Sequence, residues 1–346
     1  MEKDPISGLR QSLNKDIDLR KLFRWVSFIL VLAAIGSILY FIVGPARGYF
    51  HSDCADSIYW ADASVESGLP LSRDFSYAAI LPFGSSLWLI PLVAMFGLKY
   101  ATHVVGMIIF AILFIAALVF LASRLQLKGV WRNFFVAGML VLLSGSIKLR
   151  EIMWGHVIYY SLSILFIIVG LALVLDFYSD KHKWRPLVGI AILTAGVATD
   201  NAQMIGLYLI PLLGGIWLER FFDADMKWND PYTQKAKRVT AVALAATGVG
   251  LLVLLLLTNF GRISAGHAEV YSTYSDPEQW VENASRFFPH LLTLFGVTLK
   301  GGTSYVSMSS GINFIRIISL LIILILPTAM FLAYRKIGDR SLKIML

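Results

Sequence analysis

One polar stretch of the chain concentrates the side chains that can move protons. Residues 51–74 carry one histidine and five carboxylates, although charged residues make up only 15% of the sequence. A carboxylate that reaches the proton of an attacking group and has a suitable pKa acts as a general base. The histidine and the five carboxylates are His51, Asp53, Asp56, Asp62, Glu66 and Asp74. We expect Asp53, with Asp56, to be the catalytic pair.

The first of these residues also have atoms that bind divalent cations. Imidazole nitrogen and carboxylate oxygen are common metal ligands, and His51, Asp53 and Asp56 offer both. Their spacing matches no known metal motif, so we assign no metal ligand. The sequence requires no cofactor and allows a divalent cation.

Residues 54–67 have the periodicity of an amphipathic helix. Ile58, Ala61 and Val65 fall on one face, as helical spacing requires. Asp53 stands where an N-cap residue would accept backbone hydrogen bonds. The alternative to acid–base chemistry is therefore a capped surface helix with exposed acids.

A second polar stretch, residues 146–156, contains two cations between apolar segments. Lys148 and Arg150 offer a point charge and a planar fork for a phosphate group, and His156 follows them. We expect these three side chains to bind a phosphate. The alternative is that Lys148 extends to the membrane surface and Arg150 pairs with Glu151.

Two further polar regions could form an acceptor site or a gate. Residues 199–203 contain Asp200, in either a helix cap or a cavity wall. Arg286 and His290 share a face of an amphipathic stretch, residues 280–294, because they are four apart. The Gly/Ser-rich residues 301–311 suit a mobile gate or a plain loop. The candidate acceptor or gate residues are His51, Asp200, Arg286 and His290.

The composition excludes several classes of protein. Apolar residues make up 57% of the chain, against about 45–50% in soluble domains, which also carry about 25% charged residues. A soluble enzyme, a disordered protein and a disulfide scaffold are excluded, and Cys54 has no partner for an internal disulfide. No nucleotide-binding loop, nucleophile elbow or zinc-binding helix motif is present. We attribute the net charge of +8 to the membrane topology of the chain rather than to nucleic-acid binding.

Apolar segments predict an all-α polytopic membrane protein with about eight transmembrane helices. They are residues 23–44, 102–122, 133–147, 155–176, 186–199, 203–218, 239–258 and 313–334. Residues 133–147, 186–199 and 203–218 are shorter than the rest, which indicates local thinning of the bilayer or helices broken near a cavity.

One further apolar stretch, residues 80–98, contains Pro82 and Pro91. Lys and Arg collect in cytoplasmic loops. If residues 80–98 do not cross, 21 of the 30 Lys and Arg residues lie in cytoplasmic segments. We therefore expect this stretch to lie on the outer face, or to re-enter there, and both termini to be cytoplasmic.

This topology makes residues 1–346 a single transmembrane module. It has outer loops at residues 45–101 and 259–312 and a cytoplasmic connector at residues 219–238, whose charges we expect to face solvent.

Short motifs in the first outer loop resemble those of known membrane enzymes. Phe50-His51-Ser52-Asp53, with a helix ending at Ser67-Gly68, resembles the acidic loop of the aminoarabinose transferases of lipid A, which reads Phe-His-Arg-Asp-Glu. Leu81-Pro82 followed by Leu87-Trp88 and Phe96-Gly97 is similar to that family's Pro-Pro-Leu helix ending in Phe-Gly. Large outer loops after spans one and seven also occur in the GT-C glycosyltransferases.

The resemblance implies a GT-C-like core with juxtamembrane helices on the outer face of a bacterial plasma membrane. Its members move a sugar, with inversion, from a polyprenyl-phosphate donor in the lipid to a glycan, lipid or protein acceptor. Asp53 falls at the family's catalytic aspartate, and Cys54 replaces the glutamate that often follows it. Asp56 is a candidate for part of that role, and Arg262 falls where the family often has a phosphate-binding arginine.

Two other classes of function stay open. A transporter or flippase of an anionic lipid or solute would also use outer cations and broken helices. A non-catalytic subunit of a glycan-assembly system would keep the fold without the chemistry. Substituting Asp53 separates the enzyme from both alternatives.

Overall fold

The computed structural model describes residues 19–77, 84, 86–156, 159–179, 184–200, 205–222, 227–265 and 276–294, with isolated positions at 317, 321 and 325. Across these residues the protein is helical, apart from one parallel pairing of two residues each, Ser76–Tyr77 (β1) with Ser264–Ala265 (β2). Several of the helices are apolar and long enough to cross a membrane. The all-α membrane class is therefore confirmed.

The described helices follow one another in chain order. They are α1 (Leu19–Val43), a 3₁₀ helix (Pro45–Tyr49), α2 (Ser52–Ser67), α3 (Ser86–Phe96), α4 (Tyr100–Arg124), α5 (Val130–Leu142), α6 (Ile147–Trp154), α7 (Tyr159–Ser179), α8 (Arg185–Ala198), a π-helical turn (Ile205–Leu209), α9 (Ile210–Phe221), α10 (Pro231–Leu255), a second π-helical turn (Leu256–Phe260) and α11 (Pro277–Leu294).

The number of candidate spans is lower than the sequence predicts. Within the described part of the chain, four segments have the length and hydropathy of a membrane span: Lys21–Val43, Tyr100–Arg124, Tyr160–Ser179 and Pro231–Phe260. The count becomes five if the bent pair α5 and α6 is one span. A count of about eight is therefore not reached by the described helices.

Helix length accounts for the difference. The predicted span 186–199 is the 14-residue α8, and the predicted span 203–218 overlaps a π-helical turn and the 12-residue α9. The predicted span 133–147 is split, because the chain turns by 107° between α5 and α6. The predicted gate, 301–311, lies outside the described residues, and so does the last predicted span, 313–334, apart from the isolated positions 317, 321 and 325.

Contacts between helix termini define two opposite ends of the bundle. Arg124 at the end of α4 pairs with Asp176 near the end of α7 at 2.7 Å, and Lys235 near the start of α10 donates to the Tyr178 carbonyl at 2.6 Å. These contacts define what we call the basic end. At the opposite end, which we call the loop end, His103 near the start of α4 contacts the carbonyl oxygen of Gly155 at 3.1 Å.

The core lies around α7. Of its most apolar window, 61% of the residues are buried, against 28% in α1 and 22% in α10. Phe110 and Phe114 on α4 pack on Trp154, and all three are buried. The large apolar side chains of α1 and α10 that remain exposed form the surface expected to face lipid.

Small residues allow α8 and α10 to pack closely. A Cβ placed at Gly250 would meet the carbonyl oxygen of Ala195 and the Cβ of Ala198. Close packing of this kind is common between membrane helices, because small residues let the backbones approach.

The prediction that charges in the connector face solvent is wrong for two residues. Glu219 and Arg220, in the last turn of α9, are buried and form an ion pair with an Nε–Oε2 distance of 2.5 Å. Asp230 lies 3.6 Å from Arg220 and caps α10 by accepting from the backbone of Tyr232 and Thr233. Burial of both partners of a charge pair is the arrangement that an apolar interior requires.

Candidate functional site

The start of α2 forms one wall of the candidate site at the loop end. The prediction that Asp53 is the N-cap of α2 is wrong. His51 occupies that position, and its Nδ1 accepts a hydrogen bond from the backbone N–H of Asp53 at 3.2 Å. Asp53 lies instead in the first turn, where its carboxylate faces the partial positive charge of the helix N-terminus. The side chain of Asp53 is 56% exposed, so it is accessible to another molecule.

The predicted amphipathic helix is confirmed, with bounds Ser52–Ser67. Ile58 and Ala61 are buried against α3, whereas Val65 is exposed. Asp56 lies one turn after Asp53 and is half-buried. The helix ends at Gly68, whose φ of 67° is a left-handed conformation that glycine adopts without strain.

A carboxylate that the sequence did not single out lies at the centre of the site. Glu151 Oε1 contacts Lys148 Nζ at 2.7 Å and His51 Nε2 at 3.2 Å. Glu151 therefore links two segments that are 100 residues apart in the sequence. Its side chain is only 11% exposed. Burial raises the pKa of Glu151, but the hydrogen bonds and charges of Lys148 and His51 outweigh burial and leave the pKa below its usual value.

The short helix α6 holds Glu151 in place. The Ser146 hydroxyl caps α6 by accepting from the backbone of Leu149 at 3.0 Å, and Trp154 donates to the hydroxyl of Ser144 at 2.9 Å. These two contacts anchor both ends of a helix of eight residues. The 107° turn before α6 directs the helix across the loop end rather than along the bundle.

Two buried histidines fix the chain that follows α6. His156 Nδ1 donates to the carbonyl oxygen of Glu151 at 2.8 Å, because a carbonyl can only accept. His103 Nε2 donates in the same way to the carbonyl oxygen of Gly155. Burial lowers the pKa of His156. The structure therefore gives His156 a supporting role and places it within the site, with its ring centroid 5.6 Å from that of His51.

The predicted phosphate ligands differ in their partners. Lys148 pairs with Glu151 and is more than half exposed, so the alternative pairing of Arg150 with Glu151 is wrong. Arg150 donates through Nε to the carbonyl oxygen of Ser146 at 3.2 Å and lies over the ring of Phe41. Among the described residues, no carboxylate pairs with Arg150.

A second arginine has a similar environment and was missed by the sequence analysis. Arg47, in the 3₁₀ helix, lies over the ring of Tyr100 with a distance of 5.7 Å to its centroid. No described carboxylate pairs with Arg47. The same 3₁₀ helix contacts α6, and its Tyr49 stacks on Phe41. In the sequence, Arg47 is marked only by its position directly after a membrane span. The positive-inside rule favours arginines on the cytoplasmic side, so it gives no reason to expect Arg47 at the loop end.

Arg262 belongs to a different part of the loop end. It has a φ of 55° and lies two residues before β2, which pairs with β1. Asp74 lies two residues before β1 and lines a groove of about 370 Å³. The other groove-lining residues are Tyr59, Asp62, Ala63, Glu66, Ser67, Ser72 and Phe75. The structure thus brings Arg262 to the first loop, beside this groove, without a described contact to Asp53 or Arg150.

No described contact joins the remaining predicted residues to Asp53. Asp200 follows α8, and its Oδ2 is buried with no hydrogen-bond partner among the described residues. Burial raises the pKa of Asp200 to about 7. Arg286 pairs with Glu282 on the exposed face of α11, and His290 is exposed one turn later.

Among the described residues, no three His, Cys, Asp or Glu side chains are grouped so that they could hold a metal ion. His51 contacts Asp53 through Nδ1 and Glu151 through Nε2. Comparisons of the chain with protein-family models, with curated proteins and with solved structures gave no match.

The site therefore combines three chemical capacities. Asp53 is an exposed carboxylate that can accept a proton. Arg47 and Arg150 are guanidinium groups that can bind an anion, because neither is neutralised by a described carboxylate. Glu151 ties the segments that carry these groups together. A transfer reaction with an anionic leaving group uses the first two capacities together.

Proposed function

We propose that this protein is a membrane glycosyltransferase of the GT-C kind, which moves a sugar from a polyprenyl-phosphate donor to an acceptor. One observation carries the proposal: an exposed carboxylate, Asp53, lies at the same end of an apolar helical bundle as Arg47 and Arg150. The bundle offers lipid-facing surface for the polyprenyl chain, and the arginines offer binding for its phosphate.

Each group has a defined role in the proposed reaction. Asp53 accepts the proton of the acceptor's hydroxyl or amine as that group attacks the sugar carbon. Arg150 and Arg47 bind the donor phosphate and stabilise the negative charge that develops on it as the bond to the sugar breaks. Attack opposite the departing phosphate inverts the configuration at the sugar carbon. Lys148 neutralises Glu151. Arg262 approaches the donor phosphate from the side of the groove that Asp74 lines.

The proposal includes a topology. The contacts of Arg124 with Asp176 and of Lys235 with Tyr178 join one terminus each of α4, α7 and α10, as alternating membrane crossings would. With α8, α9 and the predicted segment 313–334 as short or additional crossings, the chain has eight spans. The loop end then faces outward, and both termini are cytoplasmic because the basic end collects the Lys and Arg residues.

The direct test is donor consumption by the purified protein in lipid nanodiscs. A panel of radiolabelled polyprenyl-phosphate sugars is supplied with membrane extract as the acceptor source. Asp53→Asn should lower transfer by about 10²–10⁴-fold, the usual contribution of a positioned base. Glu66→Gln, an exposed carboxylate at the far end of the same helix, is the matched control and should retain activity. Full activity of Asp53→Asn would refute the assigned base.

Arginine substitutions test the second half of the site. Arg150→Gln and Arg47→Gln should each weaken donor binding, whereas Arg286→Gln, on exposed α11, should not. If folded wild-type protein binds a donor but consumes none, a non-catalytic subunit is favoured instead.

A transporter is the second candidate, and Asp200 is the observation that favours it. A carboxyl group with one oxygen buried and without a described hydrogen-bond partner, and with its pKa raised to about 7, can gain and lose a proton near neutral pH. In proteoliposomes, a proton-coupled transporter should lose pH-driven flux in Asp200→Asn and keep it in Asp53→Asn. A glycosyltransferase should show the opposite dependence in the transfer assay.

A further inference from the structure

The hydrogen bonds of His51 determine where its proton lies. Nδ1 accepts the backbone N–H of Asp53 at 3.2 Å, and a backbone amide can only donate. Neutral His51 therefore carries its proton on Nε2. That N–H points at Glu151 Oε1, 3.2 Å away. Both ring nitrogens have the partner that this tautomer requires.

We propose that Glu151 is a positioning residue for Asp53: it holds His51 in the Nε2–H tautomer, in which the imidazole caps α2 and the carboxylate of Asp53 stays available as a base. The part that concerns catalysis rests on the proposed glycosyltransferase function. The assignment of the tautomer does not, because it follows from the contacts alone.

The other neutral tautomer would disable the site in two ways. A proton on Nδ1 would remove the acceptor that the described residues provide for the Asp53 backbone N–H, so the first turn of α2 would lose its cap. The same proton would lie near Asp53 Oδ2, which is 3.9 Å from Nδ1, and would hydrogen-bond the carboxylate that must accept a proton. Glu151 disfavours this tautomer, because a carboxylate accepts hydrogen bonds and leaves an unprotonated Nε2 without a donor.

The charged groups around His51 support this arrangement. Glu151 is neutralised by Lys148 at 2.7 Å. Asp53 lies near Nδ1, on the other side of the His51 ring from Glu151. The ring of His156 lies edge-on to the His51 ring. His156 donates its Nδ1 proton to a carbonyl oxygen, so that proton is not offered to His51.

Nuclear magnetic resonance of ¹⁵N-histidine-labelled protein in nanodiscs reads the tautomer directly. The chain has six histidines, and His51→Asn identifies the signal of His51 by its loss. In the wild type we expect an unprotonated Nδ1 and a protonated Nε2. Glu151→Leu should lose this pattern, whereas Glu151→Gln should keep it, because the glutamine Oε1 still accepts. A protonated Nδ1 in the wild type would overturn the assignment of the tautomer, and an unchanged pattern in Glu151→Leu would overturn the role of Glu151 in holding it.

Transfer kinetics then test the consequence. Glu151→Leu should lower kcat roughly ten- to a hundredfold, the effect of losing one hydrogen bond to a charged group, with the KM for donor unchanged. Glu151→Gln should restore most of kcat. Normal kcat in Glu151→Leu, in protein whose tautomer has changed, would overturn the positioning role. If the wild type consumes no donor, the proposed function fails, and the tautomer measurement still decides what Glu151 does to His51.

Discussion

The buried ion pair at the basic end allows a quantitative prediction about stability. Arg220 binds Glu219 through two hydrogen bonds, Nε to Oε2 at 2.5 Å and Nη2 to Oε1 at 2.8 Å. Both side chains are 2% exposed or less, and Asp230 lies 3.6 Å from Arg220. Arg220→Met therefore leaves a buried carboxylate without its guanidinium and removes the positive charge beside Asp230.

The expected loss is large, because a buried charge that loses a hydrogen-bonded partner of opposite sign is costly to keep in an apolar interior. Removing one partner of a buried pair costs about 3–5 kcal/mol, whereas replacing both partners by apolar residues is often neutral. For a chain of this size, the single substitution corresponds to a fall in Tm on the order of 5–10 °C. The double variant, Glu219→Leu with Arg220→Met, should recover most of that loss.

The assay is thermal unfolding in one detergent at one protein concentration, followed by intrinsic tryptophan fluorescence. Arg286→Met is the matched control: its pair with Glu282 is more than half exposed on both sides, so its Tm should change by about 2 °C or less. A double variant as unstable as Arg220→Met would refute the reasoning, because the loss would then come from packing rather than from an unpaired charge.

Three further predictions concern a cap, a helix contact and a surface. Asp230 caps α10, and the hydrogen bonds to its carboxylate outweigh burial and lower its pKa to about 2. Asp230→Ala should lower the free energy of unfolding by about 0.5–2 kcal/mol at pH 7. The cap's contribution should persist above the unfolded pKa of about 3.9 and disappear as the pH falls through 2, which acid titration of wild type and variant checks. Gly250→Val should lower Tm by several degrees, because its side chain would enter the backbone of α8, and an unchanged Tm would contradict that packing. In α11 the apolar face should touch the bilayer. On a Cys54→Ser background, a spin label at Ala284→Cys on that face should therefore be more accessible to oxygen than one at Ser285→Cys on the polar face. Equal accessibility of the two labels would count against contact with the bilayer.

Much of the candidate site was predictable residue by residue, but its connections were not. The acidic stretch and the Lys148–Arg150 pair stand out from an apolar chain by type and spacing. Glu151 does not, because a single glutamate beside an arginine is read most simply as a local pair. Of its two partners, Lys148 is local, but His51 is 100 residues away, and no spacing rule connects residues that lie in different segments. Arg47 was missed for a related reason, since one arginine after a span has no pattern of its own.

Composition and hydropathy by themselves determined the membrane class, the helical fold and the position of the amphipathic helix α2, because burial in lipid requires apolar residues and satisfied backbone hydrogen bonds. Local periodicity carries this information along the chain. Tertiary structure alone decided that α5 and α6 are a bent pair, that Glu219 and Arg220 are buried, and that His51 rather than Asp53 caps α2. Each of these outcomes depends on contacts between segments distant in sequence, whose energies are set by geometry that only the folded chain provides.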